Sequence, residues 1–359
     1  MLLYICVLLS VVVAAFLLNK TQRVKYIIPF ICLLAVSALR SENMGIDNNN
    51  YIEYYWNNCQ TLSWITALQQ KDGFFYILNK VVHLFTNDFH MFMAITSFIF
   101  LLGVFVFIKQ NCRECWLSVW LFITMGFFQT NFTTIRMSVA LGISLIAISF
   151  ALKKKLIPFL IAVFAAFMFH ASAAVVIIIY PLLQWKIRKW HIYILISLLA
   201  SVFLLRQQLF NLLWKLSKDR YEYHMDDIGT EAGGEKLLAV YIMIMLFVVI
   251  CTFQVKSHVY ETNEQLSRLI LWCSGIVVAI QSFVTILPIM YRLGNYFSLP
   301  LFLLLPNLID DKFRERDRRL VILGIMALSF MFYIRYLIVE AGVLHSSVPY
   351  EIYPFWEKL

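Results

Sequence analysis

Five arginines occupy positions where arginine is costly. Arg40, Arg136, Arg206, Arg292 and Arg335 lie at the edges of apolar segments or late within them. A charge at mid-bilayer costs roughly 2.5–3.5 kcal/mol on insertion scales, and snorkelling near a helix end lowers that. A guanidinium is planar, permanently charged and shaped to meet phosphate oxygens with two parallel N–H bonds. Arginines gathered at one membrane edge therefore suit an anionic ligand. Taken singly, each can instead snorkel to headgroups or pair with an acid such as Glu42 or Glu340. His170, in Phe169-His-Ala-Ser-Ala173, can exchange a proton near neutral pH, or simply satisfy a backbone carbonyl at a helix break. Ser172 and Ala173 allow close helix approach beside it. Asp47, two residues after Gly45, is a second proton acceptor or a turn residue bonded to its own backbone. Tyr51, Tyr54 and Tyr55 fall on one helix face by spacing. With Trp56 they can stack on sugar rings, and an interfacial aromatic belt is the plainer reading.

The elements that must position these groups are apolar helices. Hydrophobic residues make up 61% of the 359 and charged residues 14%. A water-soluble domain could not hide that much apolar surface, so the chain reads as an all-α, polytopic integral membrane protein. About 12 transmembrane helices are expected, at 2–18, 26–39, 89–108, 116–133, 136–152, 156–169, 171–184, 190–208, 237–255, 268–287, 293–309 and 320–338, in a single domain over 1–359. Several fall short of the ~20 residues that cross a bilayer. The first stretch lacks a basic n-region and a small-residue cleavage site, so it reads as a retained helix.

Alternate loops carry 18 of the 30 lysines and arginines, which places that face in the cytoplasm and both termini outside. The remaining face and the membrane hold 14 of the 21 acids. Arg40, Arg136 and Arg292 then face outward, and Arg206 and Arg335 lean that way. Two outward loops are long. Residues 40–88 are rich in aromatics and read as interfacial helices, and residues 211–236, glycine-bearing and charged, read as a mobile lid.

Other chemistries lack support. The net charge of +9 is explained by orienting loops, and no basic stripe with interleaved aromatics points to nucleic acid. Cys112-x-x-Cys115 is a lone pair without a second pair or nearby histidines, so no metal site is expected. Phosphate-binding glycine loops, HExxH and GxSxG are missing, and so is any cofactor signature.

Four elements in order resemble the EpsG-like branch of the Wzy-type polysaccharide polymerases. They are Arg40 with Gly45-x-Asp47-x-x-x-Tyr51, Ile135-Arg136 opening a small-residue-rich span, Phe169-His-x-Ser172-Ala, and Tyr291-Arg292 with Phe297. The chain departs from that pattern at Met137, where glutamine is frequent, and at Asn48, where a small residue is frequent. The resemblance implies a metal-independent membrane glycosyltransferase in the bacterial cytoplasmic membrane, with its active site facing outward. It would join polyprenyl-diphosphate-linked oligosaccharides, its donor and acceptor partners, within membrane lipid, and leaves room for a chain-length regulator. In that scheme Arg136 and Arg292 hold the diphosphate, His170 or Asp47 takes the acceptor's proton, and Arg40, Tyr51, Ser172, Arg206, Tyr291 and Arg335 contact substrate. Competing readings are a flippase of lipid-linked glycans, an O-antigen ligase and a membrane acyltransferase. The acyltransferase needs a cytoplasmic histidine, against the placement of His170.

Overall fold

A computed structural model describes residues 1–18, 21, 23–58, 61–186, 196–211, 234–253, 264–344 and 346–354. Among these the protein is helical without a strand, and the lone β-bridge joins Arg40 to Ile352. The helices are α1 (Leu2–Leu17), α2 (Val24–Ala38), α3 (Asn48–Glu53), α4 (Trp64–Gln69), α5 (Gly73–His83), α6 (Phe89–Asn111), α7 (Cys115–Thr124), α8 (Phe127–Thr133), α9 (Ile135–Leu152), α10 (Leu156–Phe169), α11 (Ile179–Gln184), α12 (196–211), α13 (Gly234–Phe253), α14 (Glu264–Val284), α15 (Tyr291–Lys312) and α16 (Glu315–Glu340). Five of them, α6, α9, α13, α14 and α16, are long and apolar enough to cross a membrane by length and composition. Shorter apolar helices occupy 2–17, 24–38, 115–124, 156–169 and 171–184. The stretch expected as a continuous span at 116–133 is interrupted, because Gly126 takes φ 80° between α7 and α8. The stretch at 171–184 opens with a 3-10 segment, Ala171–Ile178, before α11. Most of the loop at 211–236 lies outside the described residues.

The described residues form two compact units, Met1–Ile177 with Asp317–Leu359, and Ile178–Arg316. In the first, the long helices run up and down. One set of ends carries Lys25, Lys153, Glu114 and Arg318: Cys115 Sγ donates to the Lys25 carbonyl, Lys153 Nζ donates to Gln110 Oε1 at 2.6 Å, and Arg318 pairs with Glu114 at 3.3 Å. The opposite ends carry Arg40, Asp88, Arg136 and His170. Burial pushes the Cys112 thiol up to about 12, which leaves it inert at neutral pH.

Local rules explain the helix ends. Asp88 caps α6, its carboxylate accepting from the His90 N–H at 3.0 Å. At the far end of α9, Lys154 turns left-handed at φ 57° and stops the helix. Without a hydrophobic drive between helices in lipid, close van der Waals packing must hold them. Gly103 of α6 and Gly142 of α9 supply it, since a Cβ on Gly103 would lie 2.2 Å from the Gly142 carbonyl oxygen. Outward rows such as Ile157, Leu160, Ile161, Phe164 and Phe167 stay exposed on α10, while Phe159, Val163 and Ala166 are buried. A helix with an apolar outer face of that extent is solvated by acyl chains.

In the second unit, α14 packs against α13 and α15, with Tyr241 against Phe302 and Gln281 Nε2 donating to the Gly234 carbonyl at 3.3 Å. Arg268 pairs with Glu264 one turn away.

Candidate functional site

The expected site residues of the first unit rest on an aromatic core. Tyr51, Tyr55, Phe75, Val82, Phe89, Phe92, Met93 and Ile135 form one buried cluster, with Phe169 packed against it. Each of three chemistry-bearing residues is covalently adjacent to this cluster or part of it: Ile135 precedes Arg136, Phe169 precedes His170, and Tyr51 is inside it. Apolar neighbours that cannot leave the core thereby fix where the polar groups emerge.

Arg136, in the first turn of α9, lies in an aromatic cradle. Its guanidinium carbon is 5.4 Å from the Tyr51 ring centre, 5.5 Å from that of Phe75 and 5.9 Å from that of Tyr54. Cations at this distance are attracted to the ring faces, and the planar fork is restrained between them. Arg136 Nη1 also donates to Asp72 Oδ2 at 3.3 Å. The Arg136 side chain is 28% exposed and that of Asp72 only 5%.

Asp72 lies outside the residues to which the sequence points. Its second oxygen, Oδ1, accepts from the Ala171 backbone N–H at 2.9 Å. One carboxylate thus ties Arg136 to the residue that follows His170. Burial holds the Asp72 carboxyl above the usual carboxylate range, against the opposing pull of Arg136 and the Ala171 N–H. The available signal was an aspartate opening an apolar helix, and that signal points to a cap, not to a partner across the fold.

His170 ends α10 in an extended conformation, φ −157° and ψ 119°, so the helix breaks where the sequence suggested. Its Nδ1 lies 2.6 Å from Ser172 Oγ and accepts from the Ser172 backbone N–H at 3.3 Å. A backbone N–H can only donate, so Nδ1 is the acceptor and the proton of the neutral ring sits on Nε2.

The tyrosines divide. Tyr51 and Tyr55 are buried, and Tyr55 donates from its hydroxyl to the Thr86 carbonyl at 2.7 Å. Tyr54 and Trp56 are 38% and 41% exposed. Tyr51 shares the buried cluster with Tyr55 and the Arg136 cradle with Tyr54, and the segment Tyr54–Asn58 is π-helical.

Arg40 sits elsewhere, fully enclosed at 0% exposure. It donates to the Ser37 carbonyl at 2.9 Å, to Ser97 Oγ at 3.2 Å and to the Asn131 carbonyl at 3.4 Å, with its guanidinium carbon 4.6 Å above the Phe132 ring. Beside it, Gly45 has φ 141°, and a Cβ there would lie 2.1 Å from the Phe132 carbonyl oxygen. The Gly45-x-Asp47 spacing is therefore a backbone requirement. Asn48 fastens the same loop, its Nδ2 donating to the carbonyls of Glu42 and Met44 at 3.0 and 2.8 Å. Asp47 is half-buried at the start of α3. Met137 is 1% exposed, so the position where glutamine is frequent faces the core.

The remaining arginines are apart from this cluster or belong to the second unit. Arg335 is exposed on α16, between buried Tyr333 and Leu337. In the second unit Arg206 donates to the Phe203 carbonyl of its own helix at 2.9 Å and lies over the Phe203 ring at 4.1 Å. Tyr291, exposed, and Arg292, half-buried, open α15.

Among known proteins, no curated protein and no solved structure matches the chain. One family model does, that of the EpsG family, over residues 23–352. That match runs from the start of α2 through the segment that covers Arg40 and takes in every residue of the cluster described above, and the chain belongs to the EpsG family.

Proposed function

We propose that this protein polymerises polysaccharide repeat units carried on polyprenyl diphosphate, at the outer face of the bacterial cytoplasmic membrane, with about 12 membrane spans. The observation that carries the reading is the junction of Arg136, Asp72 and the His170–Ser172 turn, at helix ends opposite those bearing Lys25, Lys153 and Arg318. A permanent cation bonded to a carboxylate that also holds the backbone of the turn after a proton-exchanging ring suits a reaction that expels a diphosphate while deprotonating a hydroxyl. Family membership supports a polysaccharide polymerase of the membrane.

In the proposed reaction the acceptor's hydroxyl oxygen bonds to the donor's anomeric carbon as the bond from that carbon to the phosphate oxygen breaks. The lipid diphosphate leaves with the electron pair, stabilised by Arg136. The hydroxyl proton passes through Ser172 Oγ to His170 Nδ1, the ring nitrogen that carries no proton in the neutral state. Direct attack inverts the anomeric centre. Asp47 is the alternative proton acceptor, and Arg40 organises the loop that bears it. Tyr51 orients the Arg136 fork, and Tyr54 presents an exposed ring edge for a sugar. Arg292, Tyr291, Arg206 and Arg335 are assigned to substrate by charge and residue type, and each is tested singly by alanine replacement.

The experiment is reconstitution of the purified protein with lipid-diphosphate repeat units. A ladder of chain lengths supports polymerisation, and repeat units that cross the bilayer without lengthening identify a flippase instead.

A further inference from the structure

Asp72 behaves unlike an aspartate at the start of a helix. It stands at the N-cap of α5, where its carboxylate would ordinarily accept from the first turn of its own helix, and it makes no such bond. An N-cap residue normally has extended backbone, yet Asp72 has φ 64° and ψ 40°, the left-handed region that a Cβ disfavours. The side chain is also one of the few buried acids, 5% exposed. It gives up its local partner and accepts a strained backbone, and its two oxygens reach α9 and the break after α10. A strained, buried carboxylate that bridges two other elements is spent on geometry between those elements.

We infer that Asp72 is a positioning residue, which sets the spacing between the Arg136 guanidinium and the His170–Ser172 turn so that leaving-group charge and acceptor proton are handled in one alignment. This rests on the function proposed above. Arg136 and His170 arise from different helices, and Asp72 bonds to Arg136 and to the residue after His170. A misplacement of about 1 Å between reacting groups costs on the order of 10²-fold in rate. Asp72 also places a negative charge beside the cation that would receive the diphosphate, so it opposes ground-state binding of that anion while holding the cation still. The two effects have opposite signs, which makes the role separable from simple folding.

The test uses the full chain in lipid nanodiscs, wild type, Asp72→Asn and Asp72→Ala. Three measurements are made: affinity for sugar-free undecaprenyl diphosphate, kcat and KM for ladder formation, and amide hydrogen exchange at Ala171. Asp72→Asn keeps an oxygen for the Ala171 N–H and loses the charge. It is expected to show wild-type exchange at Ala171, diphosphate affinity a few-fold tighter, KM lower, and kcat down about 10²-fold. Asp72→Ala adds exchange at Ala171 accelerated at least about tenfold. A purely structural residue would lower the active fraction alone, with KM and affinity unmoved and thermal stability lost, and that pattern overturns the inference. So does a wild-type kcat in Asp72→Asn. If wild type neither binds the diphosphate nor forms a ladder, the polymerase reading fails by itself. Exchange at Ala171 then decides the rest: acceleration in Asp72→Ala retains Asp72 as the brace of this turn, and unchanged exchange removes it.

Discussion

Arg40 and Arg136 are the same residue type at the same ends of two helices that both pack against α6, and their surroundings differ in exposure and in the charge of their partners. Arg40 is closed in by neutral acceptors, the carbonyls of Ser37 and Asn131 and the Ser97 hydroxyl. The C-terminal segment lies across it, with the Ser41 N–H donating to the Glu351 carbonyl at 2.8 Å and the Tyr353 N–H to the Leu39 carbonyl at 2.9 Å. The Tyr353 ring in turn stacks on His90 at 4.0 Å. Burial pulls Arg40 down to about 10, which still leaves it charged at neutral pH. Arg136 is partly exposed, lies over three rings and faces a strained acid. A cation sealed among carbonyls organises the protein, whereas a cation left open on one side and braced on the other is available to a ligand. Residue type cannot separate the two roles, and environment does.

That contrast can be broken by substitution. The largest expected effect is on folding. Arg40→Ala takes the guanidinium donor from the Ser37 and Asn131 carbonyls in a closed site and should cost about 1–3 kcal/mol for each, read as a lower melting temperature and poor yield. Diphosphate affinity of whatever folds should be unchanged. A stable Arg40→Ala protein that had lost affinity would merge the two arginines into one role. Next, Arg136→Ala should lower kcat/KM by about 10²–10³-fold, or roughly 2.7–4 kcal/mol. Arg136→Lys should recover only part, because an ammonium cannot reproduce the planar fork.

The proposed proton path sharpens the comparison on the open side. His170→Ala should cost about 10²-fold or more. Ser172→Ala removes the hydroxyl through which the proton is proposed to pass and keeps the backbone N–H to Nδ1, so a loss of about 10²-fold, close to that of His170→Ala, is expected. The pH dependence has a definite sign. Because burial raises the Asp72 carboxyl, its carboxylate is lost as pH falls through a value above the ordinary one near 3.8, and its hold on Arg136 goes with it. Activity should fall along that acid limb, and Asp72→Asn should flatten it. For stability the linkage runs the other way: the fold favours the protonated acid, so ionisation of Asp72 opposes stability as pH rises. Asp72→Asn is therefore expected to melt no lower than wild type. The smallest effect is Arg318→Gln, which removes a partly exposed pair with Glu114 at the opposite helix ends. It should shift stability by no more than about 0.5 kcal/mol and leave chain elongation intact.

Much of the architecture was legible because apolar run length is a direct statement about helices in lipid. The runs at 89–108 and 136–152 became α6 and α9, and the polar break at His170 became the end of α10. Ile135-Arg136, Phe169-His170 and Tyr51 were found from sequence and converge because each is tied to the same aromatic core. What was hidden depends on long-range contact. Enclosure of Arg40 needs residues 346–353 to return over α2, more than 300 positions away in the chain. The bridge made by Asp72 spans 64 residues to Arg136 and 99 to Ala171, and no periodicity encodes it. The π-helical turn at Tyr54–Asn58, which leaves Tyr54 exposed and Tyr55 buried, has no signature in the apolar spacing.

The most direct test is titration of sugar-free undecaprenyl diphosphate into the nanodisc-embedded protein, wild type against Arg136→Ala, beside ladder formation from lipid-diphosphate repeat units. Saturable binding that Arg136→Ala weakens at least about tenfold, together with a ladder that it abolishes, is the predicted result. Equal affinity in the two proteins, with an undiminished ladder from Arg136→Ala, would contradict a diphosphate site built on this arginine.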